Sequence, residues 1–250
     1  MKRILLVGCG NIGFRHLQAL GAAIADGSML DLTVVEPNPA THDRIAGYLA
    51  SLPEGTPTTL ADTLPEAPHA YDLAIFATNA AQRRAAFDAT LARHGIRAAV
   101  FEKVLFTTLR DLDEVGDALE GSGIAGFVNC GRRTAPGYRD LRAALQPAPI
   151  DIEVTGANFG LGSNAVHFLD LAEFLNGAAI TALDAAGLRP GSVPSKRHGY
   201  VEIFGTITAR LSNGATIRVT CDVDGAPSVA VRLTAAGERI GIDETGRRIS

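Results

Sequence analysis

The sequence has few cysteines, no long apolar segment and no cluster of basic residues, and each absence excludes a class of protein. Its 250 residues include three cysteines, Cys9, Cys130 and Cys221, whose odd number and wide spacing argue against a disulfide framework or a zinc site. The apolar run over residues 4–7 is too short for a signal peptide, and no segment approaches membrane-spanning length. We therefore expect a cytoplasmic protein without a bound metal or a membrane partner.

The charged residues are numerous but scattered. The 23 Lys and Arg and 27 Asp and Glu give a formal net charge of -4, and no basic face of the kind that binds nucleic acid is visible. A hydrophobic content of 46% is enough for a buried core. A small soluble molecule is therefore the expected partner.

The first half of the chain predicts an α/β fold, a Rossmann doubly wound parallel sheet over residues 1–125. Short apolar runs with β propensity alternate with helical runs, which is typical of βαβ units. The predicted strands are RILLV, LTVV, DLAIFAT, RAAVF and IAGFVN, and the predicted helices lie near 12–25, 40–51, 79–94 and 108–119. The Pro-rich stretch LPEGTPTTLADTLPEAPHA predicts a surface connection.

The second half, residues 126–250, predicts an α+β domain. The run YVEIFGTITARLSNGATIRVTCDV alternates apolar and polar residues, which indicates a half-buried, mostly antiparallel sheet. Asn213-Gly214 predicts a type I′ hairpin turn, and SVAVRLTA predicts the next strand. The helical run GSNAVHFLDLAEFLNG is expected to lie against or beside this sheet.

Gly8, Gly10 and Gly13 form a G-x-G-x-x-G pattern between a strand and a helix. In that position Gly8 permits a tight turn, Gly10 lets a pyrophosphate approach the backbone, and Gly13 lets the helix pack on the strand. Asn11 and Ile12 open the helix, whose unpaired N–H groups would face the phosphates. The pattern predicts a dinucleotide site, and a glycine-rich turn without a ligand is the alternative.

Glu36 ends the second predicted strand, in LTVVE. An acidic residue there can accept hydrogen bonds from both ribose hydroxyls of the adenosine and would repel a 2′-phosphate. We therefore predict NAD as the cofactor rather than NADP, with an ordinary exposed glutamate as the alternative.

Two later strand ends are expected in the same crevice, because ligands of open α/β sheets bind beyond the carboxyl ends of the strands. These ends carry Thr78 and Asn79, in FATNAAQ, and Glu102 and Lys103, in FEKV. Each is a candidate cofactor contact, although Thr78 or Asn79 could instead cap a helix.

Five segments, in this order and spacing, resemble the glucose-fructose oxidoreductase, inositol dehydrogenase and rhizopine-catabolism (Gfo/Idh/MocA) family: GCGNIGFRHLQAL, FATNAAQ, FEKVLF, NCGRRTAPGY and HFLDLAEFL. The resemblance covers residues 1 to about 240. It implies a Rossmann domain followed by a domain with an open, mostly antiparallel sheet that often makes oligomer contacts, so a homodimer or homotetramer is expected. The usual reaction of the family is reversible NAD(P)-dependent oxidation of a sugar or cyclitol hydroxyl.

The resemblance also implies catalytic residues. Lys103 corresponds to the family's lysine near the reacting hydroxyl, and His167 to its catalytic histidine. Asp170 lies on the same helix edge as His167 and would either orient it or contact the substrate. A histidine that satisfies a helix terminus and a solvated lysine are the alternatives.

The sequence departs from the family at three places. The aspartate expected four residues before the histidine is Ser163, which could cap the helix, replace the missing substrate contact or mark lost activity. The proline expected after Lys103 is Val104. Family members usually continue past the point where this chain stops, so a shortened second domain is one expectation.

Arg132, Arg133 and Tyr138 follow the predicted strand GFVN near the domain junction. Guanidinium forks there could bind a phosphate or carboxylate of a nucleotide sugar or sugar acid. A structural salt bridge is an equal alternative.

Three functions remain open from the sequence. The leading hypothesis is an NAD-dependent dehydrogenase acting on a secondary hydroxyl of a sugar, nucleotide sugar or cyclitol. The others are a glycosidase-type elimination that uses tightly bound NAD, and a non-catalytic NAD-binding regulatory protein.

Overall fold

The computed structural model describes residues 1–195 and 199–244, together with the backbone of 248–249. The chain divides into two compact units, Met1–Asn129 and Cys130–Ser250. The predicted boundary, between residues 125 and 126, lies inside the last strand of the first unit. Each unit has its own hydrophobic core, so each can be described by itself.

The first unit is a six-stranded parallel sheet with flanking helices. The strands of this unit are β1 (Lys2–Val7), β2 (Leu30–Val35), β3 (Thr58–Ala61), β4 (Ala70–Tyr71), β5 (Leu73–Phe76), β6 (Gly95–Ile96), β7 (Ala98–Phe101) and β8 (Ala125–Val128), and all but β4 and β6 form the six-stranded sheet. Its α-helices are α1 (Asn11–Ala25), α2 (His42–Ala50), α3 (Ala80–Leu91) and α4 (Leu109–Gly121). The sheet order is β3-β2-β1-β5-β7-β8, and β4 pairs with β6 beside it.

Alternate residues of β1 pack on opposite faces of this sheet. Ile4 and Leu6 join a cluster with buried residues of α1 and α2, whereas Leu5 and Val7 join a second cluster with residues of α3 and α4. A strand buried on both faces explains why RILLV reads as a continuous apolar run. The prediction of a doubly wound Rossmann sheet is confirmed.

One prediction for this unit was wrong. The Pro-rich stretch expected to be only a surface connection contains β3, which pairs in parallel with β2 at the edge of the sheet. Leu60 packs against the cluster around α1 and α2, and this burial outweighs the weak strand signal of a short edge segment next to prolines.

The second unit contains a seven-stranded sheet in its described residues. Its elements are α5 (Pro136–Leu145), β9 (Ile150–Ala157), α6 (Leu161–Asn176), β10 (Ile180–Asp184), β11 (Val193–Pro194), β12 (Val201–Glu202), β13 (Gly205–Leu211), β14 (Thr216–Asp222), β15 (Ser228–Ala235), β16 (Glu238–Asp243) and β17 (Arg248–Ile249). The order is β10-β13-β14-β9-β15-β16-β17, with every pair antiparallel except β14 and β9. The predicted α+β unit with a mostly antiparallel sheet is confirmed.

The hairpin between β13 and β14 differs from the predicted type I′ turn. That turn needs positive φ at both central residues, but of Asn213 and Gly214 only Gly214 has it, at +88°. Asn213 Oδ1 instead accepts a hydrogen bond from the N–H of Ala215, and its amide donates to Asn176 Oδ1. These side-chain bonds favour a longer turn that ends in a left-handed glycine.

His94 is a buried histidine of the first unit, only 4% exposed, and its Nδ1 accepts a hydrogen bond from the N–H of His69. Burial lowers the pKa of His94, and the nearby His69 and Arg93 lower it further. The folded state therefore binds the proton less well than the unfolded chain does. The neutral form of His94 therefore contributes its full stability above about pH 6.5, the pKa of histidine in the unfolded chain. This contribution is lost as pH falls below that value toward the lower pKa of the folded state.

We therefore expect the protein to unfold at a lower urea concentration at pH 5.5 than at pH 7.5, and His94→Asn to reduce this difference. Asn keeps an acceptor for the His69 N–H but cannot take up a proton. Urea titrations of both proteins at both pH values measure the effect. An equal pH dependence in the variant would contradict the assignment.

Candidate functional site

The glycine loop after β1 has the shape that a dinucleotide needs. Gly8 has φ +85°, and a Cβ on it would lie 2.9 Å from the backbone nitrogen of Thr78. A Cβ on Gly13 would lie 2.0 Å from the carbonyl oxygen of Gly8, so the close packing of α1 on β1 requires glycine there. A Cβ added to Gly10, in contrast, would have no heavy atom of the described residues within 4 Å, which leaves space for a ligand to approach the backbone.

The start of α1 leaves backbone donors at this loop. Its N-cap is Gly10, which has no side chain to accept a capping hydrogen bond, and no acidic residue lies in the first turn. The N–H groups of Asn11, Ile12 and Gly13 therefore have no intrahelical acceptor and lie at the positive end of the helix dipole. This arrangement favours a phosphate anion.

Glu36, at the end of β2, is buried beside the loop. Its Oε2 accepts a hydrogen bond from the N–H of Cys9 at 2.6 Å, and its Oε1 accepts one from the N–H of Asn38 at 2.9 Å. A carboxylate has about four acceptor positions, so two remain for the hydroxyls of a ribose. The residues of the loop and Glu36 thus fit a dinucleotide such as NAD.

The Cys9 thiol within the glycine loop is not a reactive group. Burial, together with the negative charge of Glu36, raises the pKa of Cys9 to about 12, although Arg44 acts in the opposite direction. Because the thiolate is the nucleophilic form, Cys9 stays a neutral side chain at physiological pH.

Arg44 is a neighbour of the loop that the sequence did not single out. Its Nη2 lies 3.3 Å from the carbonyl oxygen of Cys9 and 3.4 Å from that of Gly10, and its guanidinium stacks on Phe14 at 4.4 Å. A surface arginine in α2 has no distinguishing pattern in sequence. Its charge would attract a phosphate, so Glu36 and Arg44 act in opposite directions on the choice between NAD and NADP.

The segment after β7 is fixed through Glu102. This carboxylate is 7% exposed, lies 2.7 Å from Nε2 of His16 on α1, and accepts a hydrogen bond from Asn129 Nδ2 at 2.6 Å. Burial alone would raise the pKa of Glu102, but the bonds from His16 and Asn129 bring it below its ordinary value. Glu102 therefore anchors the backbone that carries the half-buried Lys103.

Arg83 on α3 is the most informative residue that sequence reasoning missed. It is 1% exposed, and its guanidinium donates to the carbonyl oxygens of Thr78, Val104 and Leu105. One buried cation thereby joins the segment after β5 to the segment after β7. In sequence, Arg83 lies in a polar run, AAQRRAAF, that resembles a solvated helix face.

Asn79 caps a helix, which was one of the two interpretations left open for it. Its side chain accepts a hydrogen bond from the N–H of Gln82 in the first turn of α3. Thr78 lies directly before this cap, with its carbonyl oxygen bound by Arg83 and its backbone against Gly8.

In the second unit, one edge of α6 carries Ser163, His167 and Asp170. Phe168, Leu171 and Leu175 are buried and form the side of α6 that faces the core. The three polar residues lie on the neighbouring side of the helix. Their spacing of four and three residues brings them into one row along the axis.

Asp170 in this row is engaged by Arg133. The arginine donates to both carboxylate oxygens, from Nε to Oδ2 at 3.0 Å and from Nη2 to Oδ1. The interaction raises the pKa of Arg133, mainly through the hydrogen bonds that its guanidinium donates to the Asp170 carboxylate. The charge of Asp170 is therefore balanced within the unit.

Arg132 and Tyr138, the candidate substrate contacts, both bind Glu244. Arg132 donates through Nε and Nη2 to the two carboxylate oxygens, each at 2.6 Å, and the Tyr138 hydroxyl donates at 2.7 Å. Arg132 also stacks on Phe168 at 4.1 Å. This is the structural role that the sequence left open. Glu244 was missed because it lies 112 residues from Arg132 in the chain.

Ser163 lies at the third position of α6, whose N-cap is Gly160. Its Oγ is 3.4 Å from the carbonyl oxygen of Gly160 and 3.3 Å from Asn164 Nδ2. Ser163 is thus not the N-cap residue of the helix. It stands one turn before His167 on the same edge.

Solved structures of other proteins share this fold. UDP-N-acetylglucosamine 3-dehydrogenase GnnA from Acidithiobacillus ferrooxidans superposes with a TM-score of 0.74 at 17% identity, over 99% of this chain and 78% of that one. The chain therefore shares the fold of this dehydrogenase. No protein-family model and no curated protein sequence matches it.

Two further structures share the fold. GenD2 from gentamicin A biosynthesis, in complex with NAD, gives a TM-score of 0.72 at 15% identity, over 97% of this chain and 72% of GenD2. An NAD binding oxidoreductase from Klebsiella pneumoniae gives a TM-score of 0.72 at 16% identity, over 97% of this chain and 73% of that one.

Within the described residues, no helix is both long enough and apolar enough to cross a membrane.

Proposed function

We propose that the protein is an NAD-dependent dehydrogenase that oxidises a secondary hydroxyl of a sugar, nucleotide sugar or cyclitol. The observation that carries the proposal is the loop geometry, with open space at Gly10 and the buried carboxylate of Glu36 bonded to the Cys9 N–H. Further support comes from solved structures of the same fold, one of them a UDP-N-acetylglucosamine dehydrogenase and another bound to NAD.

His167 and Lys103 are the proposed catalytic residues. Oxidation of a secondary alcohol requires removal of the hydroxyl proton, and a neutral imidazole accepts a proton in the physiological range. The lysine ammonium stabilises the negative charge that develops on the oxygen. When bound, NAD supplies the acceptor for the hydride.

The remaining residues have supporting roles in this proposal. Gly8, Gly10 and Gly13, with the N–H groups of Asn11 and Ile12, hold the pyrophosphate, and Glu36 holds the adenosine ribose. The segments of Thr78 and Asn79, and of Glu102 and Lys103, border the nicotinamide half of the cofactor. Arg132, Tyr138 and Asp170 keep the surroundings of α6 in place, and Ser163 contacts the substrate.

Two measurements test the proposal, cofactor binding first and turnover second. We expect NAD to raise the unfolding temperature of the protein, and a panel of cyclitols, sugars, sugar acids and nucleotide sugars to include one that reduces NAD. Cofactor that copurifies and is not consumed during turnover would instead indicate elimination chemistry. Binding without any turnover would indicate a regulatory protein.

Glu36→Gln is expected to shift the cofactor preference toward NADP by about tenfold, because it removes a negative charge that would oppose the 2′-phosphate while Arg44 remains. Titration of wild type and variant with both cofactors measures the ratio. The matched control is Glu54→Gln, an exposed carboxylate elsewhere in the unit, which should leave the ratio unchanged. An unaltered ratio in Glu36→Gln would remove Glu36 from the site.

We also propose a cytoplasmic homodimer or homotetramer. The sheet of the second unit has an outward face with arginines at 210, 218 and 232, of which Arg232 pairs with Glu153. In a dimer with two-fold symmetry the same face of both copies would meet, so that its side chains would have to be self-complementary. Light scattering after size exclusion measures the oligomeric state, and a monomer would contradict this part of the proposal.

A further inference from the structure

Glu202, on the short strand β12, lies over the first turn of α6. A Cβ on Gly160 would be 2.9 Å from Glu202 Oε1, and a Cβ on Gly162 would be 3.4 Å from Oε2. Both glycines therefore leave the space that the carboxylate occupies. The same point at Gly160 lies 2.7 Å from Ser163 Oγ, so the carboxylate and the serine hydroxyl border one small volume.

Within residues 1–195 and 199–244, no basic side chain forms an ion pair with Glu202. Its Oε2 is buried, and among the described residues no donor forms a hydrogen bond with it. A buried polar atom without a partner is unusual in proteins and calls for an explanation. The nearest favourable influence is the positive end of the α6 dipole, since a carboxylate at a helix N-terminus is stabilised there.

His167 is one helical turn beyond Ser163, whose hydroxyl borders the same small volume as the Glu202 carboxylate. Side chains four residues apart on a helix have Cβ atoms about 6 Å apart, so the carboxylate beside Ser163 is within electrostatic reach of the imidazole. Burial reduces the screening of such an interaction by solvent.

Among the described residues, three other carboxylates lie on or beside α6: Asp170, Glu173 and Glu244. Glu173 accepts a hydrogen bond from the N–H of Ile180, and its charge acts on Arg133. Glu244 attracts His167, and this attraction contributes to the lowered pKa of Glu244, after burial, which acts against it, and its bonds from Arg132 and Tyr138. Glu244 is nevertheless neutralised by Arg132, as Asp170 is by Arg133. Asp151 and Glu153 of β9 alternate with the buried Ile152 and Val154, so they point to the opposite face of the sheet.

We propose that Glu202 is a positioning residue that stabilises the protonated form of His167 and so sets the pH range in which His167 accepts a proton. The inference rests on the role of His167 in the proposed function. A carboxylate near a histidine favours the imidazolium and raises its pKa. Ser163 leaves room for this carboxylate to come from β12 rather than from α6 itself.

The test is an NMR titration of the His167 imidazole, assigned with His167→Gln, in wild type and Glu202→Gln. We expect the pKa of His167 to fall by about 0.5 to 1 in the variant, because a negative charge about one helical turn from the imidazole is removed. The matched control is Glu238→Gln, an exposed carboxylate of the same unit, which should leave that pKa unchanged. An unchanged pKa in Glu202→Gln would overturn the inference, and it would leave Glu202 as a partner of the helix dipole alone.

A carboxylate introduced on α6 itself, at position 163, should restore the pKa of His167. In the double variant Glu202→Gln with Ser163→Asp, the pKa of His167 should return toward the wild-type value. If a substrate has been found, the acidic limb of kcat/KM should move with it, to lower pH in Glu202→Gln and back in the double variant. A limb that does not follow the NMR pKa would contradict the link to activity.

If Glu202→Gln does not fold, the coupling can be measured from the other side. The wild-type Glu202 carboxyl resonance should show a second inflection at the pKa of His167, and His167→Gln should abolish it. Absence of that inflection overturns the inference. Because neither titration needs a substrate, a shift without any turnover would refute the proposed function, whereas the coupling between Glu202 and His167 would stand.

Discussion

Replacing Arg83 with methionine is expected to destabilise the first unit by about 3 kcal/mol and to weaken NAD binding at least tenfold. The variant would leave three carbonyl oxygens in part-buried hydrogen bonds, those of Thr78, Val104 and Leu105, without their charged donor. Hydrogen bonds from charged groups contribute more than neutral ones, and an unsatisfied buried acceptor has a further cost. The loss should exceed that of a typical substitution.

The effect on NAD follows from what Arg83 joins. The Thr78 segment is in contact with Gly8, and the Leu105 segment continues from Glu102 and Lys103. Without the guanidinium, these two segments lose their common anchor, so the crevice beyond β5 and β7 is no longer preorganised.

Urea unfolding and calorimetric titration with NAD measure the two effects. The control is Arg84→Met, because Arg84 is the next residue of α3 but forms exposed ion pairs with Asp88 and Glu114. Exposed ion pairs contribute little, so its loss should stay below about 1 kcal/mol with unchanged NAD affinity. Equal stability losses in the two variants would contradict the role assigned to Arg83.

The second large effect is expected at His167. His167→Asn should lower kcat by about 100-fold to 10000-fold while NAD affinity stays within twofold, because the variant removes the proton acceptor and leaves the glycine loop untouched. Lys103→Met should also lower kcat, through loss of the charge near the developing alkoxide.

Steady-state kinetics at several pH values, with NAD titrations of the same samples, separate these contributions. His69→Asn is a suitable histidine control, since its ring lies beside Tyr71 and His94 in the first unit, away from the glycine loop. A His167→Asn enzyme with wild-type kcat would exclude the histidine as the base.

Much of the fold was predictable because local and tertiary preferences agree. The strand RILLV, the glycines that follow it and the apolar period of α1 all indicate one βα unit, and the structure has it. α6 was equally clear from its apolar period. Glu36 and the glycine loop could be associated from sequence because their spacing is fixed by the βαβ unit itself.

The rest depends on contacts between distant parts of the chain. Arg83 has the sequence context of a surface residue, and only the packing of α3 against two strand ends buries it. Glu202 and Glu244 approach α6 from β12 and from the turn after β16, at separations that no local pattern encodes. The Asn213 turn was mispredicted because its side chain bonds to Asn176, 37 residues away.

Formation of reduced nicotinamide with a panel of cyclitols, sugars, sugar acids and nucleotide sugars tests the central claim most directly. The account predicts that NAD is reduced by at least one member of the panel, faster than NADP, and that His167→Asn removes the reaction while NAD still binds. NAD binding to the wild-type protein with no reduction across the panel, or reduction that persists in His167→Asn, would contradict it.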